Sequence, residues 1–344
     1  MRLGLLLLAA SLLTASVGRA QVTDAITIYG QLYGLVESVE VRGEPTPASR
    51  RARVTDQGSR LGFRGKEDLG GGLAAWFQLE TGFAVDSPGN FAGRNSAVGL
   101  EGPWGTMLIG RWDSAFNATQ VSSVDPFSDN GLPDITGAAI NQGNFARRER
   151  NVAQYWSPRI AGFRTRINFT TNEDRTADAN PHDYGASFAY LDTETFLAVA
   201  FEKHRDQVGT RATPGSDEEG LGVSGRHSVG PLRIYGQIGR YRRTGTAMQK
   251  SYLIGIEAVS AEHGLLASYQ NSRNGAAFAS AAQPSCDLVG VAYRYRFSRQ
   301  TFLIAEYARV NNKVGALCNF GSNPLAITAG QDLRGFAAGM RTRF

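Results

Sequence analysis

The stretch that decides the fold lies near the carboxyl end of the chain and reads Val289-Gly290-Val291-Ala292-Tyr293-Arg294-Tyr295-Arg296-Phe297. Large apolar side chains occupy its odd-numbered positions, whereas glycine, alanine and arginine occupy the even-numbered ones. Because successive side chains of a β-strand point to opposite faces, this order gives the strand one apolar and one polar face. The stretch therefore predicts a half-buried strand.

The same alternation recurs along most of the chain beyond residue 21. It is clearest over 26–37, 60–66, 163–169 and 336–344, where large apolar residues alternate with polar or basic ones. Alternation alone does not separate a soluble β-sandwich from a membrane barrel, because both architectures have one buried and one exposed face per strand.

The connections between these segments separate the two architectures. Seven short turns alternate with eight longer polar stretches, which implies sixteen strands with both chain ends on the short-turn side. The first long stretch is 39–58, and the third, 112–150, is the longest. An even strand number with one short and one long rim is typical of bacterial outer-membrane barrels. The sequence predicts an all-β, 16-stranded antiparallel transmembrane β-barrel with short periplasmic turns and long extracellular loops, closed between its first and last strands.

Composition excludes several other classes of protein. A mean hydropathy of -0.25 over 344 residues excludes a bundle of membrane helices. The 18 Phe and 12 Tyr residues exclude a disordered chain. The net charge of +5 is small and evenly spread, so we expect no nucleic-acid partner.

The N-terminus predicts export. Arg2 precedes an apolar stretch over 3–13, and small residues flank Arg19 at a cleavage position before Gln21. A membrane anchor would need about 20 apolar residues, and this stretch is too short. We therefore expect residues 1–20 to be a removed signal peptide and residues 21–344 to form one barrel domain with a net charge of +3.

Several motifs resemble one family, and they read Ser59-Arg60-Leu61-Gly62-Phe63-Arg64-Gly65, Glu67-Asp68-Leu69-Gly70-Gly71-Gly72-Leu73, Phe77-Gln78-Leu79-Glu80, Tyr155-Trp156-Ser157-Pro158 and Gly339-Met340-Arg341-Thr342-Arg343-Phe344. The chain resembles the general porins of Gram-negative bacteria, in particular those of the Neisseria, Bordetella and Burkholderia type. The resemblance runs from about residue 26 to the C-terminus.

The resemblance implies a trimeric, water-filled channel in the outer membrane of a Gram-negative bacterium. In that family the third extracellular loop folds into the barrel and narrows it, which assigns this role to 112–150. Phe344 matches the family's terminal aromatic assembly signal, which implies recognition of the last strand by the barrel-assembly machinery. The remaining implied partners are outer-membrane lipid, lipopolysaccharide and small hydrophilic solutes, and no cofactor is implied.

If the apolar faces contact lipid, the opposite faces line water. The predicted basic lining comprises Arg60, Arg64, Lys66, Arg111, Arg164, Arg166, Arg294, Arg296, Arg341 and Arg343. Arg111 follows two apolar-face residues, so it reaches the lumen through a bulge or lies at the interface. This basic excess predicts an anion-preferring pore. The alternative interpretation is that these arginines only make the interior polar or pair locally with carboxylates.

Two further sets of residues carry expectations about the loops. Asp125, Asp129 and Asp134 of the third loop are candidates for an acidic face opposite the basic wall. Cys286 and Cys318 fall in the seventh and eighth long stretches, and an exported protein meets an oxidising compartment. We expect a disulfide between these cysteines, with two separate thiols as the alternative.

Catalytic and metal signals are weak. The four histidines are scattered without ligand spacing, so we expect neither a metal site nor an enzyme. The functional prediction is a passive diffusion channel. The alternatives are a substrate-selective barrel, an adhesin with functional loops, and an outer-membrane hydrolase, for which Ser122, Ser123 and Asp125 with His182 are the best candidates.

Overall fold

The computed structural model of the protein describes residues 26–43, 49–84, 92–127, 130–138, 144–171, 173–273 and 285–344. The predicted signal peptide lies outside these ranges. No helix within them is long and apolar enough to cross a membrane. The two short helices are α1 (Ala115–Gln120) and a 3-10 turn (Ile135–Gly137).

The strands of the described ranges are β1 (Thr27–Arg42), β2 (Ser49–Asp56), β3 (Arg60–Gly70), β4 (Leu73–Gly82), β5 (Ser96–Gly102), β6 (Gly105–Asp113), β7 (Arg148–Trp156), β8 (Phe163–Thr170), β9 (His182–Leu191), β10 (Thr195–Arg205), β11 (Gln207–Val208), β12 (Arg211–Ala212), β13 (Glu218–Val229), β14 (Leu232–Arg243), β15 (Gln249–Ser260), β16 (His263–Arg273), β17 (Ser285–Arg296), β18 (Phe302–Asn312) and β19 (Asp332–Arg343).

The main sheet is a closed antiparallel barrel. Each strand pairs with its neighbours along the chain, and β19 pairs back onto β1 from Gln31 opposite Arg343 to Arg42 opposite Asp332. The strands β2 and β3 both pair with β1 and continue one another around a break at 57–59, so they form one crossing of the wall. The strands β11 and β12 form a separate two-stranded hairpin. The barrel therefore has sixteen crossings, and the predicted fold is confirmed.

Alternation decides which side chains face outward. On β17 the apolar Val289, Val291 and Tyr293 are exposed, whereas Leu288 and Ala292, on the opposite face of the strand, are buried. The pattern is inverted relative to a soluble protein, because the large apolar side chains lie on the outer surface. This is the arrangement that a hydrocarbon environment requires.

The first predicted long loop is wrong in its extent. Residues 39–42 and 49–56 continue β1 and β2, so the connection spans only 43–48. The polar composition of this stretch reflects pairing across the strands. The carboxylate of Glu37 accepts hydrogen bonds from Arg53 and from Thr55, both at 2.6 Å. Polar side chains that hydrogen-bond to one another on the inner face of a barrel give a strand the polar composition of a loop, which explains the wrong prediction.

The hydrophobic core lies inside the barrel, between the third loop and the wall. Phe116, Val121 and Ile135 of the loop pack in one cluster with wall residues that include Phe196 and Leu253. A second cluster joins loop residues Phe127 and Leu132 to the far side of the wall and to the last long loop. The loop is thus held by apolar contacts with two separate parts of the wall.

Candidate pore and constriction

The described parts of the third long loop, residues 114–127, 130–138 and 144–147, lie inside the barrel. Its backbone makes hydrogen bonds of 2.8–3.0 Å with wall side chains, and the pairs are Ala115 with Asn168, Thr119 with Ser224, Gly131 with Gln57, Leu132 with Glu306, and Pro133 with Gln270. These partners belong to β8, β13, β16, β18 and the break before β3. The loop therefore follows the wall across the lumen and narrows the passage.

Two glycines of the wall make room for the loop. A Cβ atom on Gly255 would lie 2.5 Å from Cγ of Pro126, and one on Gly290 would lie 2.1 Å from Cβ of Pro133. Such separations are far below van der Waals contact. Any larger residue at either position would displace the loop toward the pore, so the depth of the constriction depends on these glycines.

Strand register brings three predicted arginines together on the turn side of the wall. Arg60 of β3 and Arg343 of β19 are both paired with Gln31 of β1. Arg341 is paired with Tyr33, two residues further along β1. Because paired residues of adjacent strands share a face, these guanidinium groups line one patch of the lumen.

The ring of Phe302, on β18, contacts two guanidinium groups, one of which belongs to Arg341. The Cζ atoms of Arg294 and Arg341, from the two neighbouring strands, lie 5.0 Å and 4.2 Å from the centroid of its ring. Cation–π contact fixes both groups at the wall without neutralising their charge. Arg294 also lies 3.1 Å from Glu257.

The remaining predicted basic residues differ in their partners. Arg60 lies 3.6 Å from Glu80, and Lys66 contacts Glu101. In the described part of the chain, no carboxylate lies within 4.0 Å of seven predicted lining residues, which are Arg64, Arg111, Arg164, Arg166, Arg296, Arg341 and Arg343. Local pairing therefore accounts for a minority of the predicted basic lining.

Several lumen arginines were missed by the sequence analysis, among them Arg226 and Arg233. Arg226 donates a hydrogen bond to the carbonyl of Ser123 in the third loop, and its Cζ atom lies 5.4 Å from the ring centroid of Phe196. Arg233 lies 3.3 Å from Glu257. Arg226 is on β13, whose Gly and Ser residues weaken the alternation that revealed the other strands. Arg226 lies two residues after Ser224 and therefore on the same face of the strand. That spacing from a small polar residue was the one sequence signal that Arg226 faces the lumen.

The basic residues border two recesses on the turn side of the loop. One, of about 430 Å³, is lined by Arg233, Arg294 and Arg296 together with Glu257 and Pro126. The other, of about 100 Å³, lies between the loop and β8–β13, and its basic residues are Arg159, Arg164, Arg166 and Arg226. Arginine thus dominates both recesses.

The expected acidic face of the third loop is not formed by Asp125 and Asp134. Asp125 accepts hydrogen bonds from the backbone of Phe127 and Ile135, at 2.9 Å and 3.4 Å. Asp134 caps the 3-10 turn and accepts a hydrogen bond of 2.6 Å from Ser322 of the last long loop. Both are buried because they satisfy backbone and hydroxyl donors, which corrects the prediction. Asp129 lies outside the described residues.

Burial has an electrostatic consequence for Asp134. Loss of solvent raises the pKa of its carboxyl above the ordinary 3.8, although hydrogen bonds from Ser322 and Thr136 oppose this effect. A buried carboxylate without a cationic partner is costly, and protonation relieves that cost.

Arg111 lies at an irregularity, as expected from its position after the apolar-face residues. The pairing of β6 with β7 shifts register between Gly110 and Trp112, which is a β-bulge. Its Nε atom is buried without a hydrogen-bond partner in the described part of the chain. That it lines the pore stays a prediction.

The chain end completes the closure of the barrel. The backbone groups of Phe344 and Gly30 exchange two hydrogen bonds, at 3.0 Å and 3.1 Å. The ring of Phe344 packs over Gly30, where an added Cβ would lie 2.6 Å from its Cζ atom. The role of Phe344 as an assembly signal stays a prediction.

The two cysteines are joined in the structure. Cys286 is the second residue of β17, and Cys318 lies in the last long loop, with 6.3 Å between their Cα atoms. Both are fully buried. The bond ties the last long loop to the inner wall at the extracellular mouth.

The loop-side half of the lumen carries a buried ion network. Arg147 lies 2.5 Å from Glu149 and 2.6 Å from Asp183, and His204 lies 2.8 Å from Glu202. Ligand atoms of Glu149, Glu202 and His204 lie within 4.8 Å of one another, a grouping that the sequence spacing did not predict. Although burial opposes it, the carboxylates of Glu149 and Asp183 raise the pKa of Arg147. These charges are paired with one another, whereas most of the predicted turn-side arginines have no carboxylate within 4.0 Å in the described residues.

The residues of the hydrolase hypothesis are not assembled. Ser123 is inside the barrel, where its hydroxyl donates to the carbonyl of Ala118 at 2.7 Å. His182 stacks with Tyr184, an exposed residue of the outer surface, at 6.5 Å between ring centroids. The wall of the barrel therefore separates this serine from this histidine.

Comparison with known proteins agrees with this geometry. Residues 6–315 match the model of the Gram-negative porin family. The chain is 28% identical to outer membrane porin protein 32 of Delftia acidovorans, over 98% of this chain and 99% of the relative. An anion-selective porin from Comamonas acidovorans has a TM-score of 0.80 at 22% identity, covering 93% and 100% of the two chains. The trimer form of OmpT from Vibrio cholerae has a TM-score of 0.71 at 14% identity, covering 93% and 99%.

The family match covers most of the chain, and the fold, the closed wall and the inward loop are those of a pore. The resemblance drawn from the sequence motifs is confirmed. The chain belongs to the Gram-negative porin family, and it is a passive diffusion channel of the bacterial outer membrane.

Proposed function

We propose that this channel admits small hydrophilic solutes with a preference for anions. The observation that carries the proposal is the excess of lumen arginines on the turn side of the third loop, six of which have no carboxylate within 4.0 Å in the described ranges. The anion-selective porin among the similar structures supports it.

The physical basis is the field inside a narrow, low-dielectric passage. Fixed cations at the wall lower the energy of an anion in the lumen and raise that of a cation. Guanidinium groups retain their charge when crowded together, whereas neighbouring ammonium groups lose protons more readily. Since dissolved ions screen the field over a Debye length of about 8 Å at physiological ionic strength, the preference weakens as salt rises.

Solute flux into proteoliposomes tests this proposal. The probes are a neutral sugar, its carboxylate and its amine, matched in size and offered at low ionic strength. We expect the carboxylate to enter fastest and the amine slowest, with rates proportional to concentration. Faster entry of the amine would contradict the proposed preference. Entry that saturates for one solute would contradict passive diffusion and favour a substrate-selective channel. Turnover of a lipid or peptide would contradict our proposal that the protein is not an enzyme.

We also propose that the channel is a trimer joined through the outer face of β3–β8. The strands β5 and β8 contain 7 and 8 residues, whereas β13, β14, β15 and β17 contain 12 each. A membrane-spanning strand needs about 9–11 residues, so β5 and β8 are too short to span the hydrocarbon layer of the membrane. We call the outer face of β3–β8 the short face. The same face forms an apolar concavity of about 890 Å³ that includes Leu100 and Met107.

Native mass spectrometry of the detergent-solubilised protein tests the assembly. We expect a mass of three chains, and a monomer would contradict the proposal. Leu100→Asn on the short face weakens the trimer, whereas the control Leu265→Asn, at an exposed position on β16, leaves it unchanged. Equal effects of the two substitutions would contradict the choice of face.

We further propose that the assembly machinery recognises the last strand through Phe344. The exposed, outward ring of Phe344 supports this, and so do its backbone bonds to Gly30, because those bonds form only when β1 closes against the last strand. Phe344→Ala should lower the amount of folded protein in the outer membrane without changing the conductance of the channels that do assemble.

A further inference from the structure

Three of the four tryptophans of the chain form a cluster on the inner face of the barrel. They are Trp76 of β4, Trp112 of β6 and Trp156 of β7, whereas Trp104 lies in the turn between β5 and β6. The ring centroid of Trp112 lies 5.7 Å from the centroids of both other rings, which are 6.5 Å apart. We call these three residues the tryptophan cluster.

The tryptophan cluster covers a small apolar patch of the wall. Beneath it lie the buried side chains of Ala97, Leu108 and Val152. A Cβ atom on Gly99, which is paired with Trp76, would lie 2.5 Å from Cε2 of that indole, so the ring packs directly against the backbone. The three indoles are themselves half-buried. Apolar surface is therefore exposed inside the lumen, and such exposed patches mark ligand-binding surfaces.

The third loop packs against a different part of the wall. Both core clusters that contain loop residues lack the three tryptophans, and in the described ranges the patch beneath the tryptophans contains no residue of 114–147. Residues 115–133 of the loop hydrogen-bond to β8, β13, β16, β18 and the break before β3. The passage that the loop leaves open therefore runs along β4–β7, past the tryptophan cluster.

An unpaired guanidinium group borders the tryptophan cluster. Arg166 of β8 is paired with Trp156, and its Cζ atom lies 5.0 Å from the centroid of that indole. In the described part of the chain, Arg166 has no carboxylate within 4.0 Å and no hydrogen-bond acceptor. Asp113, which follows Trp112, lies 3.0 Å from Arg148 instead. A guanidinium that stacks on a ring keeps its N–H donors at its edge, where a carboxylate can accept from them.

We propose that the tryptophan cluster and Arg166 form a weak binding site for small aromatic carboxylates of the benzoate type. Aromatic rings attract one another in edge-to-face and offset arrangements, and the three indoles offer both faces and edges to a flat ring. The guanidinium donates two parallel hydrogen bonds to the carboxylate. An aliphatic carboxylate lacks the ring and a neutral aromatic molecule lacks the charge, so each of them uses half of the site.

This site rests on the proposed function, because its ligand reaches it through an anion-preferring channel. It refines that function for one class of solute. Solutes without both the ring and the charge pass by diffusion.

Block of the single-channel current in a planar bilayer tests the proposal, because a bound aromatic molecule occupies the passage beside the loop. The probes are benzoate, benzamide and acetate, each added to the full-length protein in the same potassium chloride solution. We expect benzoate to lower the current in a saturable manner. Benzamide and acetate should need on the order of tenfold higher concentrations for the same block, since each loses one of the two interactions.

Substitutions separate the ring contacts from the charge. Trp76→Leu should raise the benzoate concentration at half-block by about threefold to tenfold, because one aromatic contact is lost. The matched control is Trp104→Leu, which changes an exposed tryptophan outside the tryptophan cluster and should leave that concentration unchanged. Arg166→Gln should make benzoate block no better than benzamide.

Equal block by benzoate and acetate in the unmodified protein would overturn the proposal, and this comparison does not depend on any variant. Equal half-block concentrations in the Trp76 and Trp104 variants would also overturn it, because a cluster with a purely structural role predicts that result. The zero-current potential of the same bilayers reports separately on the pore. Chloride preference without benzoate block would overturn the binding site alone, whereas potassium preference would overturn the proposed function.

Discussion

At the scale of single residues, arginine is suited to the pore lining because it combines permanent charge with a flat face. Arg294 and Arg341 use that face against the ring of Phe302. Their Nε atoms are buried and have no hydrogen-bond partner in the described part of the chain. An unsatisfied buried donor costs about 1–3 kcal/mol.

Neutralising this pair should reduce the anion preference. We expect Arg294→Gln with Arg341→Gln to lower the ratio of anion to cation permeability severalfold, because two fixed charges leave one patch of the wall. Reversal potentials in a salt gradient measure the ratio. The control is Arg42→Gln, an exposed arginine paired with Glu40 at 2.6 Å on the outer surface. An equal effect of the control would show that total charge, rather than its position, sets selectivity.

Asp134 predicts a pH dependence of the third loop. Its pKa is raised in the folded state, so the folded protein binds this proton more tightly than the unfolded chain does. Stability from this group is complete below its ordinary pKa of 3.8 and is lost as pH rises through the raised value. Asp134→Asn removes this dependence. Thermal unfolding across pH should show the variant gaining on the unmodified protein as pH rises, and the opposite trend would contradict the assignment.

At the scale of elements, the third loop depends on the wall as much as on its own sequence. Gly255 and Gly290 leave space on the wall, and the groups that approach them are Pro126 and Pro133 of this loop. The loop's aspartates could not be placed from sequence, because their partners are backbone groups and a serine 188 positions away. Alternation predicts which face of a strand a residue occupies. It does not predict where a side chain lies in a loop whose conformation depends on tertiary contacts.

Filling the space at Gly290 should alter conductance. Gly290→Val would bring carbon atoms into Pro133 and push the loop into the passage, so we expect a lower single-channel conductance. Gly236→Val is the matched control, because nothing lies within 4 Å of a Cβ at that strand position. Unchanged conductance in the Gly290 variant, with the barrel correctly folded, would contradict the role given to the loop.

The bond between Cys286 and Cys318 should stabilise the extracellular mouth. The two cysteines are 32 positions apart, and closing such a span contributes about 3–4 kcal/mol on the loop-entropy model. We expect a double Cys→Ser variant to unfold at lower denaturant concentration. Intact mass after alkylation without reduction checks the bond itself, and two alkylated thiols would contradict it.

At the scale of the whole molecule, the barrel could be predicted because its strands repeat one alternating pattern and its connections alternate between short and long. The alternation at Arg294 and Arg296 indicated an inward face, and the sorted connections indicated sixteen crossings closed between β1 and β19. Arg226 could not be found in this way, since its strand has small residues on both faces. The distribution of charge along the pore emerged only from tertiary contacts: the ion pairs are densest near the long loops, whereas most predicted arginines near the turns have no carboxylate within 4.0 Å in the described residues.

The central claim is that unpaired lumen arginines make this porin select anions. The most direct test is the zero-current potential of the unmodified protein in a planar bilayer, with potassium chloride at two concentrations across the membrane. The account predicts a potential whose sign shows chloride as the more permeant ion, shrinking as both concentrations rise. A potential whose sign shows potassium as the more permeant ion at low salt would contradict it.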